Sequence, residues 1–150
     1  MGYSSVEFKI RTASVKAVIE HLNTCSNAFD PPLHTQVHIE AYSQKIVDNA
    51  VTFEAWDNGL LVGLVAAYFN DLESKSGYIT NVSTLPNYQG RGIAKNLFTT
   101  SLEHGKSLGF IKVGLEVSGR NTRAINLYSR NGFWVIGRKG ATLVMRGSLK

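Results

Sequence analysis

A mixed α/β fold, with a central sheet of seven strands and four helices on its two faces, is the architecture the sequence predicts. Three observations carry it. Apolar runs of strand length are interleaved with segments whose apolar residues recur at i, i+3, i+4 and i+7. A strong hairpin signal, Asp57-Asn58-Gly59, lies between two of the strand-like runs. Between residues 78 and 117 a strand, a helix and a strand follow in the order that a right-handed parallel crossover requires. The full order reads β-α-α-β-β-β-α-β-α-β-β, a mixed sheet covered on both faces.

Residues 6–10 open the chain as a strand, and Ser14 is placed to cap the helix that follows. Val15, Val18, Ile19 and Leu22 give that helix one apolar face. Residues 23–34 read as a loop whose Phe29, Pro31, Pro32 and Leu33 either form a semi-rigid lip beside a pocket or dock on the core. Thr35 is the expected cap of a second helix with Ile39, Tyr42, Ile46 and Val47 buried. Residues 51–56 and 60–69 are the arms of the hairpin. The second arm is almost continuously apolar and is expected to be covered on both faces. A third strand begins at Tyr78. From Gly92 a helix turns Ala94, Leu97, Phe98 and Leu102 inward and stops at Leu108-Gly109. Residues 111–118 alternate as a strand, Asn121 caps a short helix to about Arg130, and residues 133–137 and 141–145 form the last two strands.

The 150 residues fit one domain, with no linker, repeat or low-complexity segment. A hydrophobic content of 43% and a charged content of 18% describe an ordered globular chain. No apolar run reaches membrane-spanning length, and the first residues lack the pattern of a signal peptide. With Cys25 as the single cysteine, no internal disulfide can form, and a cytoplasmic location is expected. The net charge of +5 and the pI near 9.4 suit an anionic partner, either a phosphorylated cofactor or a nucleic acid. Against nucleic acid, no aromatic stacking pattern or basic stripe stands out. His21, His34, His38 and His104 follow no metal-ligand spacing, so no metal site is expected.

Chemistry concentrates in two stretches. In the first, Asn81-Val82-Ser83-Thr84 continues a strand and Leu85-Pro86-Asn87 stops it, because Pro86 has no amide hydrogen and disfavours helical angles at Leu85. Gln89-Gly90-Arg91-Gly92-Ile93-Ala94-Lys95 then enters a helix. A strand, a glycine-bearing loop and a helix start aim several free amides at one point, and the helix dipole makes that point an anion site. The Walker spacing is absent, and a dinucleotide fingerprint would need a third small residue where Lys95 stands. In the second stretch, residues 115–133, Asn121, Ala124 and Tyr128 share one helix face. A small residue between two hydrogen-bonding ones leaves room for a slender chain.

Gln89-Gly90-Arg91-Gly92-Ile93-Ala94 resembles the Gln/Arg-x-x-Gly-x-Gly/Ala signature of the GNAT superfamily of acyl-CoA-dependent N-acetyltransferases. The Asn121, Ala124, Tyr128 and Asn131-Gly132-Phe133 set resembles that superfamily's second signature. It is nearest in wording to ribosomal-protein alanine acetyltransferases, which share the Leu115-Glu116-Val117 strand. The resemblance is firm over residues 78–133 and covers only the general plan before residue 77. It implies acetyl-CoA between the strands at 78–84 and 111–118, with its pantetheine arm along the backbone of Val82, Ser83 and Thr84. The diphosphate would sit on amides from Gly90 to Lys95, where Gln89, Arg91, Ile93 and Ala94 complete the loop. Tyr128 resembles the general acid for the departing thiolate, and a backbone amide near Val82 the oxyanion donor.

The base is less plain. Many relatives carry a Glu on the central strand where this chain has Thr80 and Asn81, neither of which titrates near neutral pH. Glu116 stands where the alanine acetyltransferases carry an acidic residue; it either accepts a proton through water or pairs with Lys112 on the same face. The acceptor is expected to be a primary amine on a small molecule or peptide, touched by Phe29, Leu33, Tyr68, Asn70 and Asn81. Trp134 and Arg138 of the final hairpin border either the acceptor or a second copy in a homodimer. Because such motifs name a chemistry rather than a substrate, two rivals stand beside the enzyme. They are a non-catalytic coenzyme A sensor and a basic nucleic-acid-binding module.

Overall fold

The structure, a computed structural model, describes residues 5–150; the reading of the first four residues lies outside them. The strands are β1 (Glu7–Ile10), β2 (Val51–Asp57), β3 (Leu60–Asp71), β4 (Ser76–Thr84), β5 (Lys112–Ser118), β6 (Trp134–Lys139) and β7 (Thr142–Ser148). The helices are α1 (Val15–Cys25), α2 (Leu33–Gln36), α3 (Ile39–Asn49), α4 (Ile93–Ser107) and α5 (Thr122–Arg130). One seven-stranded sheet has the order β1-β2-β3-β4-β5-β7-β6, and within it only β4 and β5 run parallel.

The expected order of strands and helices is met, with a short α-helix and two 3-10 turns, Ser26–Ala28 and Pro86–Tyr88, added among the described residues. Helix α2 is a single turn after Pro32 in the stretch read as loop, and Thr35 lies inside it, its hydroxyl donating to the Pro32 carbonyl at 2.6 Å. The cap of α3 is therefore not Thr35 but His38, whose Nδ1 accepts from the Ala41 amide at 3.2 Å. Ser14 caps α1 as expected, accepting from the Ala17 amide at 3.1 Å.

Two hydrophobic layers flank the sheet. On one face α1 and α3 pack Val18, Leu22 and Ile46 against Leu61, Leu64 and Ala66 of β3. On the other, α4 and α5 pack Leu97, Phe98 and Tyr128 against Val62, Val65, Val113 and Leu115. Strand β3 is thus covered on both sides, which explains its unbroken apolar run. The ring of Phe98 meets those of Tyr128 and Phe133 at 5.0 and 5.3 Å. Full burial of such a ring contributes about 2–3 kcal/mol and fixes α5 against α4.

Two irregularities matter for the site. Opposite Ala66 and Ala67 the register jumps from Asn81 to Ile79, so Thr80 is the extra residue of a β-bulge. The bulge turns Thr80 and Asn81 toward the same helix: the Tyr42 hydroxyl meets the Thr80 Oγ1 at 2.9 Å and receives Asn81 Nδ2 at 3.4 Å. Strands β4 and β5 pair over three rungs only, Ser76 with Lys112, Gly77 with Val113 and Tyr78 with Gly114. Beyond Tyr78 the two strands separate.

Candidate active site

Where β4 and β5 part, a cavity of about 760 Å³ opens between them. Its walls are residues 79–84 of β4 and 115–118 of β5, the Gly-bearing loop, the start of α4, one face of α5, and residues 28–30 of the α1–α2 connection. The volume is that of a cofactor or small-molecule site.

The loop is held from two sides. The Tyr88 hydroxyl donates to Asp57 at 2.6 Å, tying it to the hairpin turn, and Gln89 accepts from Arg123 of α5 at 3.4 Å. Gly90 and Gly92 have φ of 78° and 79°, the left-handed region that glycine tolerates without strain. A Cβ at either would meet nothing within 4 Å, so the space in front of both is open. Gly92 is the N-cap of α4 and supplies no side chain to its first amides. Those orphan donors and the helix dipole face the cavity, which fits a phosphate group.

Of the residues named from the sequence for the donor, Val82, Ser83, Thr84, Gln89, Gly90, Gly92, Ile93, Ala94, Lys95, Asn121, Ala124 and Tyr128 all line this cavity. Arg91 does not. Its guanidinium lies 4.8 Å from the Tyr88 ring centre and donates to the Asn87 carbonyl at 3.0 Å. Asn121 uses its Oδ1 to cap α5, accepting from the Ala124 amide at 3.1 Å. Tyr128 is 5% exposed, and its hydroxyl has no hydrogen-bond partner among the described residues. Burial pushes its pKa well above the ordinary phenol value, so it is protonated at any physiological pH.

Glu116 lines the cavity from the α1–α3 side of β5. Its ion pair is not with Lys112 but with Lys139 of the final hairpin, at 2.8 Å, because β7 carries that hairpin across Glu116. Among the candidate acceptor contacts, Phe29 and Asn81 line the cavity. Leu33 is buried in the α1–α3 core layer, and Tyr68 packs against that layer with its ring under Lys45 at 5.6 Å. Asn70 lines a separate cavity of about 440 Å³ and donates to the Asn49 carbonyl at 3.0 Å. Trp134 and Arg138 are exposed on β6, outside the cavity lining.

Behind Asn81 is a buried polar chain that the sequence reading missed. His21 Nδ1 contacts the Leu61 carbonyl at 2.9 Å; a carbonyl only accepts, so Nδ1 carries the proton and donates. Nε2 is then an acceptor facing the Ser83 hydroxyl at 2.9 Å and the Cys25 thiol at 3.6 Å. Ser83 in turn donates to Asn81 Oδ1 at 2.8 Å, leaving the thiol to serve His21. Burial lowers the His21 pKa to about 4 and raises the Cys25 thiol to about 11, so the chain is neutral throughout. The available signal was positional: His21 and Cys25 fall on the same helical stripe as Val18 and Leu22, where a polar residue needs a partner.

A pH dependence follows. The folded pKa of His21 lies below its unfolded value of 6.5, so its contribution is complete above pH 6.5 and declines as pH falls toward 4. Between pH 6.5 and 5 the protein should lose about 2 kcal/mol from this group. Urea unfolding of the parent and of His21→Gln at both pH values measures it: the parent should show the larger drop.

A second clasp borders the cavity. Asp30, from the α1–α2 connection, accepts from Arg120 Nε at 2.8 Å and Nη2 at 3.0 Å, and from Ser118 Oγ at 3.1 Å. Those contacts hold its carboxyl below the usual carboxylate range, with the Arg120 hydrogen bonds the largest cause.

Among the described residues no group of three or more His, Cys, Asp or Glu is arranged to hold a metal, and no helix is long and apolar enough to cross a membrane. The chain is 34% identical over 82 residues to the N-alpha-acetyltransferase MAK3 of Arabidopsis thaliana, a match that spans 54% of this chain and 43% of that protein. Its fold is shared with a ribosomal-protein alanine N-acetyltransferase from Escherichia coli, at a TM-score of 0.78, 17% identity, and coverage of 96% of this chain and 95% of the other. It is shared too with the PaiA N-acetyltransferase of Thermoplasma acidophilum in complex with coenzyme A, at a TM-score of 0.75, 18% identity, and coverage of 95% and 99%. Residues 15–133 match the sequence model of the Acetyltransferase (GNAT) family, and the chain belongs to that family.

Proposed function

We propose that the protein transfers an acetyl group from acetyl-CoA to a primary amine by direct attack of the amine on the thioester. The observation that carries this is the early end of β4–β5 pairing beside an uncapped helix start, with an unpartnered phenol on the opposite wall. The β4 backbone beyond Tyr78 has no strand on its β5 side, so an extended amide-bearing arm can pair with Val82, Ser83 and Thr84. Amides from Gly90 to Lys95 would hold the diphosphate, and the Lys95 side chain adds positive charge. A solved neighbour bound to coenzyme A supports that donor.

In this mechanism the amide near Val82 stabilises the negative charge that develops on the thioester oxygen. Tyr128, held protonated by burial, donates to the sulfur as the C–S bond breaks. Glu116 takes the amine proton through water, Lys139 keeping its carboxylate oriented toward the cavity. Thr80 and Asn81 do not serve as base; both are engaged with Tyr42 and the His21 chain.

Thiol release from acetyl-CoA over a panel of primary amines tests the reading. Tyr128→Phe should lower turnover about 100-fold while leaving coenzyme A affinity within about threefold, because a thiolate is already a fair leaving group. Turnover unchanged by that substitution would remove Tyr128 as the acid. Coenzyme A binding without thiol release from any amine would instead identify a sensor.

A further inference from the structure

The face of the sheet covered by α1 and α3 over β2–β4 continues bare over β5, β7 and β6. Across it runs one row of paired residues: Tyr78 on β4, Gly114 on β5, Arg146 on β7 and Trp134 on β6. Residues paired across strands share a face. Tyr78, Arg146 and Trp134 are exposed. Gly114 between them is not demanded by packing: a Cβ there would meet only the Met145 carbonyl at 3.6 Å and Tyr78 Cδ1 at 3.9 Å, both ordinary contacts. Its missing side chain leaves a trough beside the Tyr78 ring, on the row that continues to Arg146. Two residues further along β5, roughly 6.6 Å away, stands Glu116, which lines the cavity.

Charge defines what fits there. Residues 111–150 hold eight lysines and arginines and one carboxylate, Glu116, a net charge of +7, whereas residues 1–110 carry −2. Both carboxylates that line the cavity are already paired, Asp30 with Arg120 and Glu116 with Lys139. An acceptor rich in positive charge therefore meets no free carboxylate among the lining residues. Arg146 is the converse, an exposed cation with no ion-pair or hydrogen-bond partner among the described residues. Planar guanidinium groups bind carboxylates bidentately.

We infer that the acceptor is an amine bearing a carboxylate about one residue-pair length away, an acidic peptide N-terminus or acidic amino acid, which lies in the Gly114 trough with its amine at Glu116 and its carboxylate on Arg146. This rests on the acetyltransferase reading for the transfer step and on the sheet face alone for the binding step.

Three peptides identical but for glutamate, glutamine or lysine at the second residue test it. They are titrated calorimetrically into the protein with and without coenzyme A and assayed for thiol release with acetyl-CoA. The glutamate peptide should bind about tenfold more tightly than the glutamine one and the lysine peptide most weakly, with Arg146→Glu inverting the order. Free glutamate in place of its peptide tells a small acceptor from a chain end. Gly114→Val, compatible with a strand, should fill the trough and abolish binding of the glutamate peptide while coenzyme A affinity stays within about twofold. Equal affinities, tightest binding of the lysine peptide, or an order indifferent to Arg146→Glu would overturn the inference. Thiol release at equal rates for all three peptides would leave the transferase reading standing and the acidic acceptor refuted. The expected binding order without thiol release would do the reverse.

Discussion

Gly92→Glu is expected to weaken coenzyme A binding at least about a thousandfold, a loss of roughly 4 kcal/mol. Three effects add in one direction. The backbone at Gly92 has a φ of 79°, which costs a side-chain-bearing residue about 1–2 kcal/mol. The new Cβ projects into open space on the cavity wall, so the carboxylate stands in front of the first amides of α4 and can satisfy them itself. A diphosphate arriving there would then meet like charge instead of orphan donors and a favourable dipole. Gly92→Ala separates these contributions: it carries the strain without the charge and should retain affinity within about tenfold. Calorimetric titration with coenzyme A reads both variants, and unchanged affinity in Gly92→Glu would move the diphosphate away from this loop.

Glu54→Ala should cost about 3–5 kcal/mol of stability, a large part of what a domain of this size possesses, because several buried donors lose their acceptor at once. Glu54 is fully buried on β2 and forms no ion pair among the described residues. Its two oxygens accept from the Thr12 amide at 3.0 Å, the Ala13 amide at 3.1 Å, the Trp56 indole at 3.0 Å, and the hydroxyls of Thr12 and Thr52 at 2.5 Å. Burial pushes the pKa up, but the hydrogen bonds from Thr12, Thr52, Trp56 and Ala13 together outweigh it, and the group ends below the ordinary glutamate value. Alanine would leave those donors without an acceptor and release the turn between β1 and α1. Because the folded pKa is the lower one, the carboxylate's contribution is complete above the unfolded value and disappears as pH falls through the folded value. Urea unfolding at neutral and acidic pH checks both points: the variant should be weaker at neutral pH and lose less on acidification.

The element order and most of the cavity lining were legible because both rest on local signals. Glycines at 90 and 92, the strand stop at Pro86, the cap at Asn121 and the spacing of Asn121, Ala124 and Tyr128 each report a backbone requirement within a few residues. What the sequence hid is non-local. Lys139 reaches Glu116 only because β7 lies between β5 and β6, and Asp30 meets Arg120 across ninety positions of chain. His21 as a buried partner is hidden in the same way, because its place on the inner stripe of α1, and not a ligand spacing, decides its role. Of the expected acceptor contacts, Tyr68 and Asn70 share a face of β3 but lie at and beyond the rung with Tyr78, where β4 still pairs with β5, so they stand outside the cavity between the parted strands.

The three rungs between β4 and β5 have a mechanical consequence. They are the shortest strand pairing in the sheet, between a four-stranded half and a three-stranded one, so the seam is its most lightly bonded line. A molecule that laces the parted edges together would stiffen the whole protein, and amide deuteration of Val113 and Gly114 should slow on its arrival even though neither residue touches it.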